Sequence, residues 1–351
     1  MTAMMAAVYH GRRDLRLTRV PIPEPRPDEL LLRVHASGVC GTDAAEWAQG
    51  PRVYAPPLIP GHELAGRVVG YGADVSGFPE GTLVACGAGY VNTPDRLSRS
   101  GRPSLSRAYA TIGLQADGGF AQYCAVPARA CLPADDVLPD TAALAQPMAI
   151  AVHATRRGRV ATLEHVVVLG VGGIGAFAVV AAAARGAHVT AIDPQPERLL
   201  LAERLGAACT LTPPQVSETG GVAPPDAILE CSGAASAWEL AVTMAAPGCR
   251  IVIVGLQQRA AALDLRELSR REHELIGTNA HDGAHDLSEA LRLLASHHGG
   301  WSDVAPMAIP LAGLVPDALA PLAERRATSV KTLVDPWTVA ARPTDTVPTR
   351  A

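Results

Sequence analysis

Apolar positions in the first 150 residues come in short runs, 30–35 and 64–71 among them, separated by glycine and proline. Such runs predict half-buried strands, so this part of the chain is expected to be β-rich and barrel-like. The Pro-rich stretch 21–27 predicts a turn-laden connector. Residues 91–108 are polar with no apolar period, which predicts a surface loop. From about residue 155 the pattern changes. Residues 166–169 read as a continuous apolar strand, 174–185 as an Ala-rich helix, 188–192 as a strand, and 197–205 as a helix that stops at Gly206. Residues 227–230 and 250–254 supply further strands. This alternation predicts a parallel, doubly wound sheet. The Pro- and Thr-rich tail from Pro336 onward is expected to be loosely ordered. No internal repeat is visible.

A chain of 351 residues fits two domains, and 48% hydrophobic with 18% charged residues describes a packed globular protein rather than a disordered one. The net charge is −4, with both signs interspersed. That composition speaks against a nucleic-acid partner or a basic membrane-binding surface and leaves small-molecule chemistry. Arg12, Arg13 and Asp14 interrupt the N-terminal apolar residues, and glycines interrupt the stretch around 166–184. Neither a signal peptide nor a membrane span is expected, and the cytoplasm is the expected location. The seven cysteines are odd in number and no two are spaced C-x-x-C. They indicate neither a disulfide framework nor a zinc ribbon.

Three segments carry the candidate chemistry: Cys40-Gly41-Thr42-Asp43, Gly61-His62-Glu63, and Gly170-Val171-Gly172-Gly173-Ile174-Gly175. Thiolate and imidazole suit zinc. The glycine segment follows a predicted strand and opens a predicted helix, the context in which its backbone can approach a pyrophosphate at a helix N-terminus. Asp193 follows Gly170 by 23 residues. A carboxylate there accepts hydrogen bonds from both ribose hydroxyls and repels a 2′-phosphate, which favours NAD over NADP. Arg198, five residues on, weakens that preference slightly. A Lewis acid beside a nicotinamide is what alcohol–carbonyl redox chemistry requires. The expected activity is that of an oxidoreductase.

Together with residues 7–11 (AVYHG), 116–123 (ADGGFAQY) and 329–336 (SVKTLVDP), these segments resemble the zinc-type medium-chain dehydrogenases over roughly residues 5–336. The spacing from Cys40 to Trp47 is most similar to the sorbitol, 2,3-butanediol and threonine dehydrogenase branch. The resemblance implies an α/β protein: a β-rich, GroES-like catalytic domain over 1–154, a Rossmann domain over 155–290, and a return to the catalytic domain with a C-terminal tail over 291–351. It also implies that Cys40 and His62 bind zinc, that Asp43 hydrogen-bonds the far nitrogen of His62, and that Glu63 lies beside the metal and can ligate it. Thr42 matches a hydroxyl that touches the substrate oxygen. Gly170, Gly172, Gly173, Ile174, Gly175, Asp193 and Arg198 would hold the cofactor, with Val254, Gly255, Leu256, Thr278 and Asn279 at its nicotinamide end. Cys231 falls near that end and is expected to be a packing cysteine. Lys331 either approaches the cofactor or is a solvated surface lysine.

Two positions depart from the family pattern. Gln146 stands where this branch carries a carboxylate ligand, and Ala45 stands where many relatives end a proton relay on histidine. His35, His153 and His281 are the visible replacements, and a structural role is the better expectation for each. Only Cys86 remains where relatives place a four-cysteine lobe, so one catalytic zinc and no structural zinc are expected. The expected function is an NAD-dependent dehydrogenase interconverting a secondary alcohol (a polyol, amino alcohol or cyclitol-like compound) and a ketone. By resemblance it would be a homodimer or homotetramer joined through sheet edges, with which the apolar strand at 250–256 is consistent. Substrate choice is assigned to the loops around Trp47, Tyr54 and Leu114. One alternative is a metal-free NAD(P)H reductase of an imine, enone or ketone, motivated by Gln146 and Ala45. Another is a catalytically silent NAD-binding sensor or partner subunit, against which the joint presence of Cys40, Thr42, Asp43, His62 and Glu63 argues.

Overall fold

In the strand Glu29–Gly38, Leu30, Leu32, Val34 and Ala36 are fully buried while Arg33 faces solvent. This alternation places one face of the strand in a core and makes it the axis of a sheet. The structure, a computed structural model, describes residues 2–218, 222–257 and 259–345. The chain divides into two compact units: Met1–Ala149 with His281–Ala351, and Ile150–Ala280.

In the first unit, Glu29–Gly38 pairs antiparallel with Glu63–Tyr71 and with Tyr123–Pro127. The sheet extends through Leu83–Cys86 to Cys131–Pro133 on one side. On the other side it runs through Leu333–Val334 and Met307–Ile309 to Arg342–Pro343. It therefore draws strands from both ends of the chain. Leu30, Leu32, Val34, Leu64, Val68, Val84 and Val126 fill its core. A separate hairpin, Ala3–Gly11 with Asp14–Pro21, precedes the sheet.

Three expectations are revised in this unit. The stretch 91–108 is more than a loop, because Gly89–Val91 pairs with Tyr109–Thr111 and the connection carries a short helix, Arg96–Arg99. Asp95 caps that helix by accepting the Ser98 N–H, and Ser98 Oγ accepts the Asp95 N–H in return. The tail beyond Pro336 is held in place as far as residue 345, and 346–351 lie outside the described residues. Trp337 donates its Nε1–H to the Val34 carbonyl at 2.7 Å, lies under the Arg33 guanidinium at 3.9 Å, and meets Tyr123 edge-on at 5.5 Å. The units also divide at 149/150 and 280/281 rather than at 154/155 and 290/291. The later division follows from the helix Gly283–Ser296, which packs on Cys131–Pro133 and Pro139–Ala142.

In the second unit six parallel strands lie in the order Cys209–Leu211, His188–Ile192, His165–Leu169, Ala227–Glu230, Arg250–Ile253, Glu274–Gly277. Val166, Val167 and Val168 are fully buried, as a central parallel strand covered on both faces requires. The helix Gly175–Ala184 is almost all alanine and valine on its buried positions. Cys209–Leu211 and Glu274–Gly277 escape the sequence pattern because they are short edge strands with few buried positions. The strand at 250 is accordingly interior, and the free edge on that side of the sheet belongs to Glu274–Gly277. No helix is long and apolar enough to cross a membrane among the described residues.

Asp140 fastens the C-terminal strap of the first unit. Its carboxylate, fully buried, accepts from Arg342 Nη1 at 2.7 Å, Arg342 Nη2 at 3.0 Å and the Asp345 N–H at 2.7 Å. His35 Nε2 lies 3.0 Å away. Burial alone would raise the Asp140 pKa, but His35, Arg342 and the Asp345 N–H hold it far below the usual carboxylate range. A carboxyl lowered on folding contributes stability that is complete above its unfolded value near ~4 and is lost as pH falls through the folded value. Asp140→Asn is expected to cost about 2–4 kcal/mol at neutral pH and to flatten the loss of stability in acid. Thermal unfolding followed as a function of pH checks both; equal acid sensitivity in variant and parent would refute the clamp.

Candidate active site and cofactor cradle

Cys40 ends the loop after Glu29–Gly38 and stands at the N-cap of the helix Gly41–Gln49. Asp43 folds back within that first turn, and its Oδ2 accepts the Cys40 N–H at 2.8 Å. His62 and Glu63 lie at the start of Glu63–Tyr71, across the sheet from Gly38. Gly61 has φ +101°, and a Cβ there would crowd the Phe120 backbone at 2.8 Å. Only glycine admits that turn. A Cβ on Gly38 would displace the Glu63 carboxylate from its present position.

The sheet thus brings together the donor atoms of Cys40, His62 and Glu63, all within 4.8 Å of one another. No other set of three His, Cys, Asp or Glu side chains among the described residues forms such a group. Asp43 Oδ1 faces His62 Nδ1 at 3.5 Å, a charge contact longer than a hydrogen bond, so Nε2 is the nitrogen left for a metal. Burial disfavours the charged imidazole, yet Asp43 and Cys40 raise the His62 pKa well above its usual value. The surroundings favour positive charge at this point. Gln146, on the first turn of Ala145–Arg157, is buried and its Oε1 has no hydrogen-bond partner. Thr42 is half-buried on the same helix turn as Asp43.

Sequence reasoning left Lys331 open between cofactor and solvent; the structure buries it, and Nζ donates to Glu63 Oε1. Burial works against its charge, but Glu63, Cys40 and Asp43 raise its pKa above the usual lysine value. The signal in the sequence was a lysine set among the apolar residues Val330, Leu333 and Val334. In the protonation state that binds a metal, a Cys40 thiolate and a neutral His62, the thiolate, Asp43 and Glu63 against Lys331 leave two negative charges, which one divalent cation balances. Glu63 Oε2 and Gln146 Oε1 are buried acceptors without partners, a costly state that a cation relieves. These donors fit a zinc ion.

The relay candidates are each engaged structurally: His35 with Asp140, His281 Nε2 with the Gly87 carbonyl at 2.6 Å, and His153 Nδ1 with Arg156 at 3.2 Å. Trp47 and Tyr54 are buried side chains, and Leu114 packs against the cluster of Tyr9, Tyr54 and Leu58.

In the second unit the cofactor residues gather at the carboxyl ends of the strands. Gly170 (φ +87°) follows His165–Leu169, and a Cβ on Gly175 would strike the Gly170 carbonyl. Asp193 ends the neighbouring strand, nearly fully buried. Its Oδ2 accepts the Val171 N–H at 2.7 Å and its Oδ1 accepts the Gln195 N–H at 2.9 Å. The carboxylate therefore braces the glycine turn itself. Arg198 Nη1 stands 3.9 Å from Asp193 Oδ2. Buried Glu230 organises the next loop, accepting from the Ser232 and Gly233 N–H groups and from Gln257 Nε2. Cys231 is half-buried, and burial with the Glu230 charge pushes its thiol pKa up. Gly255 packs against Gly233 so closely that no side chain fits. Val254 donates its N–H to the Glu230 carbonyl, and Thr278 Oγ1 donates to Ile253. Leu256 is largely exposed beside them. Asn279 follows Thr278 at the end of Glu274–Gly277.

Residues 26–136 match the model of the alcohol dehydrogenase GroES-like domain, and 173–296 match that of the zinc-binding dehydrogenases. Sorbitol dehydrogenase of Macaca fascicularis is 32% identical over 288 residues, covering 78% of this chain and 80% of its own. L-galactonate-5-dehydrogenase of Escherichia coli K12 is 35% identical over 198 residues, 56% and 58% of the two chains. A zinc-binding dehydrogenase from Sinorhizobium meliloti 1021, solved bound to NADP, superposes with a TM-score of 0.87 at 27% identity, covering 96% of this chain and 100% of that one. This chain belongs to the zinc-type medium-chain dehydrogenases of the alcohol dehydrogenase superfamily. It is an oxidoreductase acting on alcohols.

Lys331→Met, which strands the Glu63 charge, is expected to destabilise the metal-free protein by about 3 kcal/mol or more. Glu63→Gln combined with Lys331→Met should recover most of that loss. Denaturant unfolding of the singles and the double closes the cycle; strictly additive losses would show that the two side chains do not depend on each other.

Proposed function

We propose that the chain is an NAD-dependent dehydrogenase interconverting a secondary alcohol of polyol type and its ketone, with one zinc ion in the first unit. The observation that carries this reading is the convergence of Cys40, His62 and Glu63 beside the unpartnered Gln146 Oε1. Cys40 and His62 would hold the metal, with Glu63 and Gln146 as the oxygen donors that complete its shell. When bound, zinc supplies Lewis acidity that stabilises negative charge on an alcohol oxygen, and the nicotinamide supplies the hydride acceptor.

The side chains do the rest. Asp43 orients His62, and Lys331 holds one Glu63 oxygen while leaving the other uncommitted. Thr42 Oγ1 accepts a hydrogen bond from the substrate hydroxyl and, as it takes that proton, gives its own to solvent water, which its half-buried position allows. In the second unit, the N-terminus of Gly175–Ala184 and the glycine turn bind the pyrophosphate. Asp193 retains acceptor capacity beyond its two N–H partners and binds the ribose, and its charge disfavours a 2′-phosphate. The kinship with polyol dehydrogenases supports the substrate class.

Protein purified without chelator is expected to carry about one zinc per chain and to form NADH from diols or polyols, with kcat/KM at least about tenfold higher for NAD than for NADP. Zinc analysis with absorbance assays decides. A protein that takes up no zinc and reduces ketones without it would make the metal-free reductase the better reading.

We further propose a homodimer or homotetramer in which the free edge Glu274–Gly277 pairs with its copy. Leu275, exposed on that edge, supports it. Light scattering should give a multiple of the 36.4 kDa chain mass, and Leu275→Lys should lower it; a parent protein at the chain mass would refute the assembly.

A further inference from the structure

Glu46, buried on the inner face of Gly41–Gln49, spends its carboxylate on a neighbouring loop. It accepts the N–H groups of Arg52 at 2.8 Å, Val53 at 3.2 Å and Tyr54 at 3.1 Å. Three bonds on one carboxylate leave the backbone before Tyr54 little freedom. The Tyr54 ring then stands edge-on to Tyr9, with centroids 5.1 Å apart and planes at 80°. Tyr9 is tied back to the same helix through its hydroxyl, which donates to the Glu46 carbonyl at 2.8 Å. This frame aims the Tyr54 hydroxyl at Asp43 Oδ1, to which it donates at 2.5 Å.

Oδ1 is also the Asp43 oxygen that faces His62 Nδ1, while Oδ2 accepts the Cys40 N–H. One carboxylate therefore touches the two segments that carry the thiol and the imidazole. The Cys40 bond alone leaves the carboxylate free to turn, and the Tyr54 hydroxyl sets where its second oxygen points. Tyr54 is only 6% exposed and its hydroxyl is already committed, so it is not placed to meet a substrate.

We propose that Tyr54 is a positioning residue of the metal site, holding Asp43 in the orientation that fixes His62 and the Cys40 turn for metal binding. The proposal rests on the reading in which Cys40 and His62 bind zinc. Loss of an outer partner of this kind costs about 10–100-fold in metal affinity.

The test is zinc affinity, measured on the folded full-length chain by competition with a chromophoric chelator. Tyr54→Phe, which keeps the ring and removes only the hydroxyl, should weaken zinc binding by about tenfold or more. Tyr9→Phe removes the adjacent buried hydroxyl, whose bond ends on a backbone carbonyl, and should keep the parent affinity even where it lowers the melting temperature. Should Tyr54→Phe not fold, Glu46→Gln loosens the loop without touching the hydroxyl, and a severalfold weakening is expected. A Tyr54→Phe or Glu46→Gln protein that binds zinc like the parent overturns the proposal and leaves the zinc reading intact. Equal weakening by Tyr9→Phe also overturns it, since general loosening of the cluster would then suffice. A parent protein that binds no zinc overturns both.

Discussion

Asp43 and Glu63 are carboxylates held almost entirely out of water, and the first unit is arranged around the need to balance them. Unpaired, each would cost several kcal/mol or would give up its charge. Lys331 answers part of the need, and the raised His62 and Lys331 pKa values report the residual pull toward positive charge. A site with this balance selects a cation on electrostatic grounds before any coordination geometry is considered. Gln146 belongs to the same logic. A further carboxylate at that position would add to the excess of negative charge that Lys331 only partly offsets, whereas an amide oxygen offers a lone pair without adding charge.

The second unit solves a different problem, bringing backbone close to a bulky anionic ligand. Its means are steric: Gly170, Gly175, Gly233 and Gly255 sit where any side chain would collide, and Asp193 and Glu230 hold the resulting loops by their N–H groups. Both carboxylates therefore shape the cradle as well as charge it. The Asp193 bond to Val171 ties the end of one strand to the glycine turn that follows its neighbour.

Much of this was legible in the chain. The interior strands of the parallel sheet announced themselves as apolar runs, and the Cys40, His62 and Gly170 motifs marked two members of the donor cluster and the glycine turn at a strand end. Short edge strands did not show, because Glu274–Gly277 has no apolar run to betray it. Long-range pairing was equally hidden. Lys331 and Glu63 are 268 residues apart, and Asp140 and Arg342 are 202 apart; no local pattern connects such partners. Tyr54 does lie in a loop, but its burial could not be read there, because the bonds that hold it come from Glu46 and Asp43 on another element. Residues whose role is set by their own neighbours in sequence could be read, and those recruited by topology could not.

The first unit is discontinuous, and that ordering has a consequence during synthesis. The segment from Ile150 to Ala280 is contiguous and can complete its sheet while translation continues. The unit that carries Cys40 and His62 cannot, because Met307–Ile309, Leu333–Val334 and the Arg342 clamp emerge only after the whole second unit has been made. Lys331 reaches Glu63 only then. A nascent chain therefore carries its acidic, thiol-bearing pocket without its internal counter-charge until residue 331 has emerged, and truncation between residues 281 and 331 would leave a complete second unit attached to an unfinished first one.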